Sequence, residues 1–137
     1  TTRLALTNCS LRLSLSDFAN YSIVIHFYGR TTMIHVIATI TANPGARKEL
    51  LRHMLATVPR VLAEEGCHGY LPTVDLPSGL PAQAPRREDT IVLIESWRSL
   101  AHLRAHLEAP HMVEYRAKAK PLVAQSSLQV LEEAVVA

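Results

Sequence analysis

The chain has 137 residues, 48% apolar and 19% charged, and its 14 basic and 12 acidic side chains leave a formal net charge of +2. That amounts to one domain with enough apolar material for a core, and it excludes a disordered chain and a nucleic-acid binder built on a basic stripe. Cys9 and Cys67 lie far apart without metal-ligand spacing, and no apolar run nears the ~20 residues of a membrane-spanning helix, so a soluble protein of the reducing cytoplasm is expected, with no membrane partner.

Residues 1–32 differ in composition from the rest of the chain. Ser, Thr and Asn alternate with Leu and Ile, Asp17 is the sole acidic residue there, and the first methionine of the chain is Met33. Leu11, Leu13 and Leu15 alternate with Arg12, Ser14 and Ser16, which lacks the continuous apolar centre of a secretory signal. The segment reads as an N-terminal extension that adds at most a strand at Tyr21–Tyr28, and the domain proper is expected at 33–137. From Ile34 to Thr41 apolar and β-branched residues predict a strand. Asn43-Pro44-Gly45 should stop it and open a helix, with Asn43 as cap and Pro44 in the first position. Leu50, Leu51, Met54, Leu55, Val58, Val61 and Leu62 then recur at helical spacing. Pro59 should kink that helix, because it removes an internal hydrogen bond, and Gly66 should end it.

Cys67–Val74 reads as a second strand with His68 and Tyr70 on one face. Residues 75–89 carry Pro77, Gly79, Pro81, Pro85 and the run Arg86-Arg87-Glu88-Asp89, an exposed loop whose length and Gly79 hinge suit a lid. The third strand is Thr90–Trp97, with Ile91, Leu93, Glu95 and Trp97 on one side. Ser99 should cap a short helix that turns Leu100, Leu103 and Leu107 inward. Pro110 should open another in which Met112, Tyr115, Ala119 and Leu122 share a face. Ser127–Val135 closes the chain as a strand with Leu128 and Val130 on one face. The order from Met33 is two copies of one unit, the split βαβ plan of an α+β, ferredoxin-like fold with a four-stranded antiparallel sheet. Helices cover one side of such a sheet, so the other side calls for a twofold partner, and a homodimer is expected.

Met33–Glu133 resembles the antibiotic biosynthesis monooxygenase domain family. The resemblance is carried by Ile34-His35-Val36-Ile37-Ala38 with Pro44-Gly45, by Glu64-Glu65-Gly66-Cys67-x-x-Tyr70, by Glu95-Ser96-Trp97, by His106-x-x-x-Pro110-His111 and by the closing Val130-Leu131-Glu132. It implies a dimeric α+β barrel and oxygenation of a small aromatic quinol or anthrone without metal or flavin, O₂ being a co-substrate. Haem-degrading relatives use an asparagine late in the first strand where this chain has Ala38, which counts against haem. The loop at 75–89 is longer than in typical relatives, and residues 1–32 have no counterpart.

Such a reaction needs a base with a pKa near the working pH, in an apolar pocket that keeps water from the radical pair. His111 and His106 are the candidates. His111 follows Pro110 at a helix start, where the dipole disfavours imidazolium, and stands one turn from Tyr115. His106 forms an i, i+4 pair with His102, but no carboxylate or thiol joins them at ligand spacing, so no metal is expected. Trp97, Tyr70, Tyr115, Glu95 and His68 are the candidate substrate contacts. A buried Glu95 needs Arg98, Arg104 or a histidine as its partner. Two other readings stay open: an isomerase of a small phosphorylated or plain keto compound, with Arg98, Arg104 or Arg116 forming an anion site, and a dimeric binding or stress module without catalysis.

Overall fold

The computed structural model describes residues 33–135, and the strand expected at Tyr21–Tyr28 lies outside them. Strand β1 (Ile34–Ala42) leads into helix α1 (Arg47–Leu62). Strands β2 (Cys67–Thr73) and β3 (Thr90–Trp97) follow, then helices α2 (Leu100–Glu108) and α3 (Pro110–Ala119), a 3₁₀ turn at Lys120–Leu122 and strand β4 (Val123–Glu132). The strands form one four-stranded sheet in the order β2-β3-β1-β4. Every neighbouring pair is antiparallel. This is the ferredoxin-like α+β plan.

The period-2 pattern of β3 places Ile91, Leu93, Glu95 and Trp97 on the helix side, all nearly inaccessible to solvent. Val36 and Ala38 of β1 share that side through their register with Glu95 and Leu93. Leu50, Met54 and Val61 of α1, Leu103 of α2 and Met112, Tyr115 and Ala119 of α3 close the core from above. Each large apolar side chain buried there contributes about 1.5–3 kcal/mol. The other side of the sheet has no cover among the described residues. Leu71, Ile94 and Leu131 are exposed on it, and the register sets Leu71 beside Ile94 and Ile94 beside Ile37.

Several local expectations are corrected. Helix α1 starts at Arg47 and not at Pro44, because Gly45 has φ +78°, a left-handed conformation that no helix accepts. Asn43 caps nothing; its side-chain amide donates to Pro121 O at 2.9 Å and ties the turn to the 3₁₀ segment. The helix runs through Pro59 for most of another turn to Leu62, and Gly66, also left-handed, closes the turn after it. A Cβ on Gly66 would collide with the His102 ring, so close packing as well as φ requires glycine there. In α2 the inward residues are Leu103 and His106, three apart, whereas Leu100 and Leu107 are exposed. Strand β4 begins four residues earlier than expected, at Val123. Its Leu128 and Val130 do share the helix-side face, opposite Ala38 and Val36, yet both are exposed, since no described helix reaches that edge.

Candidate active site

Between the sheet and helices α2 and α3 lies a cavity of about 600 Å³. Ala38, Ile40 and Leu93 form its apolar floor, Met54 and Met112 its walls, and β4 residues Ser126–Leu128 its open side. Four of the sequence-derived candidates line it: Tyr70, Glu95, His106 and Tyr115. Three others do not. Trp97 is fully buried behind the cavity, His111 opens on a separate groove, and His68 is exposed at the surface.

His68 leaves Tyr70's face because of a bulge. Cys67 pairs with Trp97 and Gly69 with the next residue, Ser96, so His68 is an extra residue in β2. Past the bulge the alternation resumes, and Tyr70 falls opposite Glu95 on the helix side. The Tyr70 hydroxyl is buried and has no hydrogen-bond partner among the described residues. Thr57, near enough to ease the charge of a Tyr70 phenolate, donates its own proton to Met54 O at 2.7 Å. An unpaired buried hydroxyl is costly, so Tyr70 keeps a donor free for an oxygen atom that comes within its reach. Burial drives its phenol pKa well above the usual range. Burial likewise pushes Tyr115 up to about 12, so both phenols are neutral donors at ordinary pH.

Glu95 finds neither of the arginines expected as its partner. Trp97 Nε1 donates to Glu95 Oε2 at 2.8 Å, and His106 lies close enough to favour the carboxylate electrostatically. Burial outweighs both contributions and raises the Glu95 pKa. Arg98 faces Glu65 at 4.0 Å, out on the surface.

His106 is 2% exposed and is held on three sides. The Trp97 ring lies against it at 4.7 Å between centroids and Tyr70 meets it edge-on at 5.5 Å. Its Nδ1 is 3.0 and 3.1 Å from the two oxygens of Glu64. The same Glu64 Oε1 lies 2.6 Å from Nε2 of His111. In the sequence Glu64 carries only family likeness, and nothing there marks its place between two histidines. Separations of 42 and 47 residues leave no periodic trace of such contacts. His102, one turn before His106, bonds Ser99 Oγ through Nδ1 at 2.8 Å. No group of three His, Cys, Asp or Glu side chains among the described residues is placed to hold a metal ion.

His111 and Tyr115 do share a surface, one turn apart on α3. It is a groove of about 150 Å³ with His53, Thr57 and Arg60 of α1 opposite. Tyr115 lines both this groove and the large cavity. The loop at 75–89 contributes nothing to the cavity wall. It joins β2 to β3, whereas the cavity opens at β4, on the far edge of the sheet. Its base is fastened by Arg87, which donates to Asp75 through Nε at 2.9 Å and through Nη2 at 2.7 Å. No residue of the expected lid reaches the cavity within this chain.

The family model for antibiotic biosynthesis monooxygenase matches residues 33–118. The Escherichia coli K12 protein called "Probable quinol monooxygenase YgiN" is 43% identical over 105 residues, which are 75% of this chain and 100% of that protein. Among solved structures, PA3566 from Pseudomonas aeruginosa is similar with a TM-score of 0.66 and 28% identity, over 78% of this chain and 100% of its own. Rv0793 from Mycobacterium tuberculosis is similar with a TM-score of 0.63 and 27% identity, over 77% and 99%. Sheet order, domain span and sequence agree, and the chain belongs to the antibiotic biosynthesis monooxygenase family.

Proposed function

We propose that this protein is a monooxygenase that oxidises a small aromatic quinol or anthrone-type substrate with O₂, needs neither metal nor flavin, and works as a homodimer. One observation carries the reading: a buried imidazole, a phenol with no hydrogen-bond partner among the described residues and a carboxyl group line one mostly apolar cavity. Family membership and the similarity to a protein named as a quinol monooxygenase support it.

His106 takes the proton of a substrate hydroxyl, and Tyr70 donates a hydrogen bond to the oxygen that becomes anionic. The electron-rich anion passes one electron to O₂, and the radical pair recombines at carbon to a peroxide. The peroxide carbon then loses its own hydrogen as the O–O bond breaks, which leaves one oxygen atom on that carbon as a carbonyl, while the other departs as water with this hydrogen and the proton that His106 returns. All four electrons come from the substrate. The apolar floor of Ala38, Ile40 and Leu93 keeps bulk water from the radical pair. A second copy of the chain would cover Leu71, Ile94 and Leu131 on the side of the sheet that no described residue covers.

The isomerase reading needs arginines converging on an anion. Arg116 lines the cavity together with Lys120, whereas Arg98 turns to Glu65 and Arg104 lines no part of it. Oxygen uptake with a panel of naphthoquinols and anthrones separates the two. The expected result is one O₂ consumed per product, one ¹⁸O atom retained in it, and no effect of a chelator. Turnover that persists under nitrogen, or no uptake with any of the panel, overturns the proposal.

A further inference from the structure

We propose that Glu64 is the positioning residue of His106: its carboxylate holds the Nδ1–H of the imidazole and so presents the Nε2 lone pair to the cavity as the basic atom. The role of His106 as base rests on the function proposed above; the tautomer assignment does not.

An ionised carboxylate only accepts hydrogen bonds. Both nitrogens that face Glu64, His106 Nδ1 and His111 Nε2, therefore carry hydrogen. For a neutral His106 this leaves one tautomer, with Nε2 unprotonated. Glu64 is itself fixed. It sits in the turn after α1, where its N–H donates to Val61 O at 3.0 Å and its carbonyl accepts from Cys67 N at 3.2 Å. Its side chain is 15% exposed, and His111 pins Oε1 from the side away from the cavity. The His106 ring has no freedom to turn between Trp97 and Tyr70.

The groups that face His106 are Glu64 from the turn after α1, Glu95 and Trp97 from β3, and Tyr70 from β2. When Nε2 takes the substrate proton, the O–H bond breaks, an N–H bond forms, and the positive charge is met by Glu64 at 3.0 Å. The Nδ1 proton stays on the ring. Orientation and charge both come from the carboxylate, the division of labour that an acid-held histidine has in hydrolases. His111, also a candidate base, is the second anchor of the acid.

Nitrogen-15 spectra of the full chain, labelled at histidine and assigned with His106→Gln, test the tautomer without any substrate. The expected result is His106 protonated at Nδ1 and bare at Nε2, changing to a mixture in Glu64→Gln and Glu64→Ala. With a quinol that the wild type oxidises, both variants should lose kcat by about 100-fold or more, with KM within about threefold and a shifted pH profile. His106 protonated at Nε2 in the wild type overturns the proposal, as does a Glu64→Gln protein with wild-type kcat and pH profile. If no quinol is oxidised, the proposed function falls, and the spectra still decide what Glu64 does.

Discussion

The indole N–H of Trp97 donates to the Glu95 carboxylate at 2.8 Å, between two residues of the same strand face that are both almost wholly buried. The only tryptophan of the chain thus serves the cavity from behind: it gives a buried acid its donor and packs against His106. Trp97→Phe keeps the ring and removes the donor. Its expected cost is about 2–4 kcal/mol, from an acid left short of a partner and a small cavity beside it. Urea unfolding measures this, and a loss under about 1 kcal/mol would show that Glu95 finds another donor.

Glu95 itself should be a stability liability. Burial raises its pKa in the folded chain, so folding favours the protonated form. Its contribution is fully present below the unfolded carboxyl pKa of about 4.3 and is lost as pH rises through the folded value. Glu95→Gln, neutral and of the same shape, should therefore be more stable than the wild type at neutral pH by on the order of 1 kcal/mol, with the advantage fading in acid. Thermal melts of both proteins across pH check the sign. An offset that does not change with pH contradicts it.

The cavity floor offers a test of whether this space is where substrate sits. Ala38 is small and lines a volume of about 600 Å³, which accepts a larger ring without forcing the core apart. Ala38→Phe should change stability by no more than about 1.5 kcal/mol while quinol turnover falls at least about tenfold, through KM first. Normal kinetics in a well-folded Ala38→Phe protein would place catalysis elsewhere.

The clasp at the base of the 75–89 loop has a definite acid limit. Hydrogen bonds from Arg87 hold the Asp75 carboxyl at about 2. A lowered folded value means the contribution is present above the unfolded pKa of about 3.9 and disappears as pH falls towards the folded one. Carboxyl carbon shifts should give a midpoint near 2 for Asp75. The midpoint should move up towards the free value in Arg87→Gln, and an unmoved one would mean that Arg87 is not its cause.

Where one residue class alternates or recurs without interruption, the chain announces its structure. Thr90–Trp97 has a clean period of two, and its ends and buried face are as the alternation requires. The start of α1 is obscured because Asn-Pro-Gly suits both a cap and a tight turn, and the left-handed Gly45 settles it as a turn. His68 departs from the face that simple alternation gives it because a bulge leaves no mark in composition. At the site, the cavity lining of Tyr70, Glu95, His106 and Tyr115 follows from strand and helix faces that the pattern already defines. Glu64 does not, because its contacts cross between separate halves of the repeat, and only packing brings the turn after α1 against the ends of α2 and α3.

The extra residue in β2 also frees the chain from a fixed spacing. A protein lacking His68 would still set Cys67 against Trp97 and Gly69 against Ser96, with Tyr70 turned to the cavity as before. Deletion of this one position should be tolerated, whereas deletion of Leu71 would invert everything beyond it. Relatives one residue shorter between the Gly66 turn and this tyrosine can therefore share the same cavity wall.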